Sequence, residues 1–580
     1  MNTQFYTFDM IGLESLFKYS SVYNTTLHPE NLLISLDRKI LIENLLYLLR
    51  SQPKFVNFID FCNIYISSET DDIVLLKRVY NEIIESNINN LPYKIISYSN
   101  QTILNLLAIS FSLPPSNNLQ AECDDNFRLK IVKAILAENE KIDNDKKKYI
   151  LAENLPEPLS TSYILAMNIL PYDDFTNNNS NAKLITACIK AAKLFDFCYK
   201  TNTYIDLINT FLEKYKCKNY LKYLHNVLKL FFTSKDEQII YITLDSKDVN
   251  YLSDLLMLRS LSISINQIIS LEDNIDYVYF RNKPIIEIQE NSFIIISRNL
   301  LADKIFNGIF FDLNVINQQQ HIVKDFFIDY TTKFSEQYLF YSIIEKMISK
   351  HKYISFNGED FRKSNIKGEP DYYIRNWNDI FLFEFKDSKI NKEIKISSDY
   401  NSLKKTIEEK FVQKSNKRPS AIKQLVNNIN RILNYDISLD TKYNNQKIKI
   451  YPVLVVGDSK FSIPGISCIL NEYLKKELEN NGITNDRIMD LIIVDIDTLI
   501  LYQNDFCRKN LTLRNIIDEY YSYLKKHKPI SNIKDNVIYN AFHKYFSFSY
   551  FLLQKKRKSK IDEMYDLCER FKIEGLEKGG

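Results

Sequence analysis

Gly368-Glu369-Pro370-Asp371-Tyr372-Tyr373-Ile374, followed by Phe381-Leu382-Phe383-Glu384-Phe385-Lys386, is the stretch on which the reading of this chain turns. Residues 371–374 are aromatic and weakly alternating, and Asn376-Trp377-Asn378-Asp379 carries turn residues. Residues 380–386 then alternate with a period of two. Together they spell a β-hairpin. Phe381, Phe383 and Phe385 share one face of its second strand; Leu382, Glu384 and Lys386 share the other. Such a strand is covered on both sides, so placing Glu384 and Lys386 on it costs roughly several kcal/mol unless each charge has a partner. A divalent cation and a phosphate would be such partners. An ordinary ion pair is the simpler alternative, because Glu-x-Lys also occurs at Glu393-Ile394-Lys395 and Glu408-Glu409-Lys410. Those copies lack a hydrophobic strand and an upstream Pro-Asp, whereas Pro370-Asp371 precedes Glu384 by thirteen positions.

The constellation resembles the PD-(D/E)XK nuclease superfamily over about 321–527, a little over a third of the chain. The resemblance implies an α/β restriction-endonuclease-like domain with a mixed central sheet. It also implies Mg2+ as cofactor, with Mn2+ able to substitute. By position, Asp371, Glu384 and the backbone carbonyl of Phe385 would be metal ligands, and Lys386 the catalytic lysine that assists the attacking water.

The family pattern also calls for an acid on the preceding helix. Residues 335–349 are the expected helix, with Ser335 or a neighbour as cap and an apolar stripe of Leu339, Phe340, Ile343, Ile344, Met347 and Ile348. Glu336 falls on that stripe at helical spacing and Glu345 falls opposite it. Glu336 is therefore the expected third acid, catalytic and metal-ligating, against the simpler alternative of a first-turn acid favoured by the helix dipole. Downstream, 387–423 holds ten Lys or Arg against five Asp or Glu, which suits a polyanionic backbone near the metal as well as it suits a solvated loop. Residues 420–433 form an amphipathic helix with Ile422, Leu425, Val426, Ile429, Ile432 and Leu433 inward; the resemblance implies a supporting polar residue on this helix, and Gln424 is the candidate. An apolar strand at 448–456, a helix at 466–480, a strand at 489–496 and a helix at 511–526 complete an α/β pattern.

The remainder divides by composition. Only one of ten glycines, Gly12, precedes Gly308, so the first part is poorly suited to tight-turn β architecture. We expect a large all-α recognition or partner region at 1–235, punctuated by loops at 113–118, 156–158 and 177–181. A β-containing junction is expected at 236–320, with strands at 238–244, 277–281, 284–288 and 293–297, and a candidate at 309–313. The nuclease-like domain follows at 321–527. A charged helical tail is expected at 528–580, with Lys555-Lys556-Arg557-Lys558 opening its terminal helix.

Net charge is only +3, so a nucleic-acid site must be local. The eight cysteines show no Cys-x-x-Cys pair and are read as reduced thiols. No leader-like or membrane-spanning segment is evident, which places the expected location in the cytoplasm without a membrane partner. No Walker phosphate loop, dinucleotide fingerprint or Gly-x-Ser-x-Gly elbow occurs. The resemblance implies a Mg2+-dependent endonuclease acting on DNA, of the kind used in bacterial restriction or anti-phage defence. The helical region would take a protein partner or trigger, and a homodimer would serve paired nicks in duplex DNA. An RNA-directed nuclease, and a non-catalytic nucleic-acid-binding or assembly subunit, are the alternatives.

Overall fold

The structure, a computed structural model, describes residues 15–51, 57–87, 95–114, 123–145, 154–171, 180–233, 241–247, 251–364, 368–397, 399–413, 420–436, 439–484, 486–527 and 543–555, besides Ala152 and Asp566. It is largely helical, with three small sheets. β1 (Ser15–Leu16) and β2 (Ile95–Ile96) form a parallel pair inside the region expected to be all-α. Two-residue strands carry no periodicity, which is why the sequence hides them. β3 (Tyr241–Thr243), β4 (Ser262–Ser264), β5 (Ile285–Gln289) and β6 (Ser292–Ile295) make a mixed sheet in the order β3-β6-β5-β4.

Two of the strands expected in this junction are helical instead. Residues 277–281 lie in a helical turn and the short helix Val278–Asn282, entered through Asp276 and Tyr277, both with left-handed backbone. Residues 309–313 belong to the helix Asn307–Gln320. A five-residue apolar run fits a strand or a buried helix equally well, and here burial came from helix packing.

The sheet that carries the hairpin has five strands in the order β11-β10-β9-β8-β7. They are β7 (Ile354–Asn357), β8 (Tyr372–Asn376), β9 (Asp379–Lys386), β10 (Lys449–Val456) and β11 (Ile492–Asp495). β7, β8 and β9 run antiparallel in turn, while β10 lies parallel to both β9 and β11. The sheet is thus mixed, with β9 at its centre.

Helices cover both faces. Phe381, Phe383 and Phe385 enter a core shared with the helices Ser180–Lys200 and Tyr220–Thr233 and with α1, which runs from Phe326 to Ile348. Residues on both sides of position 235 therefore share one core. Ile380 and Leu382 enter a second core with α3 (Ala421–Leu433), α4 (Ile466–Asn480) and the helix Leu159–Ile169; the short helix α2 (Gly358–Lys363) contributes Phe361. A third core joins the first helices to the four-stranded sheet.

α1 departs from its expected form. It begins at Phe326, is π-helical over Tyr330–Phe340, and becomes α-helical over Tyr341–Ile348. Ser335 is thus not a cap. It lies inside the helix, and its hydroxyl donates to Asp387 Oδ2 at 2.6 Å. α5 (Ile496–Phe506) directly follows β11, and α6 (Leu513–Lys526) ends the layer. Near the chain end, Phe546, Phe548, Phe551 and Leu552 are buried against these layers, and Lys555 terminates the helix Phe548–Gln554. The charged helix expected beyond it, like Lys414, Lys417 and Arg418 of the basic run, lies outside the described residues.

Candidate active site

β9 and β10 are parallel, and their carboxyl ends meet the start of β8 at one edge of the sheet. In open α/β sheets that edge is where ligands are bound. Close approach is built in there. Gly457 follows β10 and donates its N–H to the Lys386 carbonyl at 3.0 Å, and a Cβ on it would lie 2.4 Å from Asp387 Oδ1.

Glu384 faces the α3 side with Ile380 and Leu382 and is 0% exposed. Its Oε1 accepts from Lys386 Nζ at 2.5 Å. Its Oε2 is buried, with no hydrogen-bond donor among the described residues. Lys386 Nζ also donates to Gln424 Oε1 on α3 at 3.0 Å, so the amphipathic helix holds the ammonium by the residue expected to support it. Gln424 is fixed in turn by its place one turn after Ser420, whose hydroxyl caps α3.

Asp371 precedes β8 and reaches past its end. Its Oδ2 accepts the Phe385 N–H at 2.7 Å. In an extended strand the N–H and C=O of one residue point the same way, so the Phe385 carbonyl is directed to the side on which Asp371 lies. Lys386, one residue on, turns its carbonyl to β10 instead.

Glu336 approaches from α1, half-buried, while Glu345 of that helix is exposed. Tyr341 holds Glu336, its hydroxyl donating to Oε1 at 2.8 Å. Residues five apart do not meet on an α-helix. The π winding, in which the Tyr341 N–H bonds the Glu336 carbonyl, brings them together. Arg362 on α2 pairs with Glu369 at 3.3 Å and adds positive charge beside Glu336 and Tyr341. Tyr341 and Arg362 were not anticipated, because neither π winding nor the packing of α2 leaves a periodic mark.

The charges of these residues act on one another. Burial first, and then the charge of Asp371, raise Glu384 from 4.5 to about 8 against the opposing pull of Lys386. Burial and Asp371 likewise raise Glu336 to about 7, opposed by the Tyr341 hydroxyl, Arg362 and Lys386. Burial raises Asp371 as well. Burial alone would lower Lys386, but Glu384, Asp371 and Glu336 outweigh it and hold the ammonium charged. More carboxylates than cations converge here, so added positive charge is favoured.

The donor set fits a hard cation in kind, being carboxylate and carbonyl oxygen. Among the described residues no three His, Cys, Asp or Glu side chains are grouped tightly enough to hold a metal by themselves. A cation of the Mg2+ class does not need three, since it commonly takes one or two carboxylates and completes its shell with water and phosphate oxygens. None of the described cysteines is disulfide-bonded, and no described helix is long and apolar enough to cross a membrane. No family model matches this chain, and no curated protein or solved structure matches it either.

Proposed function

We propose that the chain is a Mg2+-dependent nuclease that hydrolyses phosphodiester bonds in DNA. One observation carries the reading: a fully buried glutamate, Glu384, with one oxygen on Lys386 and the other without a donor, beside Asp371 and Glu336. In the structural pair Arg375–Asp440, by contrast, both carboxylate oxygens accept hydrogen bonds.

Asp371, Glu384 and the Phe385 carbonyl would hold the cation, with Glu336 at its margin. When bound, it would polarise the scissile phosphate and lower the pKa of a water. Asp371 is oriented for this by the Phe385 N–H, and Glu336 by the Tyr341 hydroxyl. Lys386 is kept protonated and is steered by Gln424, so it acts as a hydrogen-bond donor to the attacking water or to the phosphate oxygens that gain charge in the transition state. A role in genome defence, and recognition of a partner or trigger through the helices of the first 235 residues, extend this reading by analogy with the resembled family.

The test incubates the full chain with plasmid, linear DNA and RNA, in Mg2+ and in EDTA, beside Asp371→Ala and Lys386→Ala. DNA cleavage that needs Mg2+ and is lost in both variants is expected. Cleavage that persists in EDTA, or in both variants, overturns the assignment. Cleavage of RNA alone moves the substrate to RNA, and tight binding with no cleavage of any substrate makes the chain a non-catalytic subunit.

A further inference from the structure

The opposite edge of the same sheet carries a different kind of surface. β8 and β9 are joined by the two-residue loop Trp377-Asn378, closed by the pair Asn376 and Asp379. Trp377 is the chain's one tryptophan, is 84% exposed, and has left-handed backbone at φ 55°. Asn378 has no positive φ, so Trp377 occupies the first central position of a hairpin turn that ordinarily takes glycine. A large aromatic ring in that place is costly both in backbone conformation and in exposure to water.

Its surroundings are aromatic and basic. Arg375 donates to the Trp377 carbonyl at 2.9 Å and closes on Asp440 at 2.5 and 2.9 Å. Near Asp440 stands Tyr443, with the half-exposed Tyr435 stacked on it at 5.3 Å; Tyr435 too has a left-handed backbone, at φ 56°. Lys352 before β7, Lys442 and Lys447 before β10, and Lys449 opening β10 are all exposed at this edge. Asp440 and Asp379 are buried and neutralised by Arg375 and Arg514. Asp436, Asp486 and Asp518 are exposed acids nearby, fewer than the four lysines.

We infer that this edge is a binding surface for single-stranded nucleic acid, with a base stacked on Trp377 and the backbone drawn by Lys352, Lys442, Lys447 and Lys449. Exposed π-faces within a cationic rim are how sequence-tolerant single-strand sites are built, and the basic rim favours a polyanion over an apolar protein partner. β9 separates this edge from Glu384 and Lys386 by about 20 Å at strand rise, so the two surfaces are distinct. The inference does not rest on cleavage.

The solitary tryptophan reports directly on its own site. Full-length protein carrying Asp371→Ala, in EDTA, is titrated with oligothymidylate of about 20 nucleotides, a length that spans a typical single-strand site. Saturable quenching of tryptophan emission is expected. Trp377→Gly should weaken binding of a labelled oligothymidylate by about 5- to 160-fold, the equivalent of losing one stacked base, while its melting temperature stays level or rises. Replacing Lys442, Lys447 and Lys449 together by Ala should flatten the salt dependence of binding. Unchanged emission on binding, or unchanged affinity in Trp377→Gly, overturns the inference, as does emission that responds to duplex DNA and not to the single strand.

Discussion

The two ends of β9 each bury an acid, and they treat it in opposite ways. Asp379 opens the strand and is met by both contacts of Arg514, at 3.1 and 3.3 Å. Near the other end Glu384 is more deeply buried, yet it shares one lysine with a field of further carboxylates and leaves one oxygen without a donor. The nearby pair Arg375–Asp440 follows the pattern of Asp379, its carboxylate also accepting the Tyr373 hydroxyl at 2.8 Å. Asp379 and Asp440 each meet an arginine of the fold, whereas Glu384 is left short of positive charge, a position in which a cation from outside the chain would be favoured.

The sharpest way to break this contrast is by substitution at each end. Asp371→Ala, Glu384→Ala and Lys386→Ala should each lower the rate of plasmid cleavage by at least about 100-fold, the scale for losing a preorganised electrostatic group. Arg514→Ala should leave that rate within a few-fold. Next in size is stability. Arg375→Ala strands Asp440 in the interior and should cost about 3–5 kcal/mol in denaturant unfolding, with no change in metal dependence.

The pH dependence sharpens the contrast further. Glu384 keeps its proton in the folded protein up to about pH 8, whereas the unfolded chain releases it near 4.5. The folded state binds more protons in that window, so its stability falls as pH rises from 4.5 to 8. Glu384→Gln should flatten that slope in metal-free protein, and Mg2+ should flatten it in the wild type. Smallest is the effect on α1. Glu336→Ala should raise the Mg2+ concentration needed for half-maximal cleavage, while exposed Glu345→Ala should change neither cleavage nor stability beyond about 0.5 kcal/mol.

What the sequence made legible follows from how local each signal is. The hairpin, the strand Lys449–Val456 and the helices Ala421–Leu433 and Ile466–Asn480 each announce themselves by their own period, and they position Asp371, Glu384, Lys386 and Gln424. Signals fail where two periods meet. Asp495 is both the last residue of β11 and the cap of α5, its carboxylate accepting from Thr498 N–H, so one apolar run conceals a change from strand to helix. The π-helical stretch departs from the 3.6-residue count, and that departure places Tyr341 beside Glu336. The shared core between the helices of 180–233 and the hairpin sheet is a long-range packing fact, and no composition change at 235 encodes it.

The claim that Asp371 and Glu384 converge on a common cation is tested most directly by anomalous diffraction from crystals of the full chain soaked in Mn2+. An anomalous peak within about 2.0–2.4 Å of a carboxylate oxygen of each, hard-cation distances, with Glu384 Oε2 facing it, is the predicted result. Saturating Mn2+ with no peak there, and Glu384 still closed on Lys386 as an isolated ion pair, would contradict it.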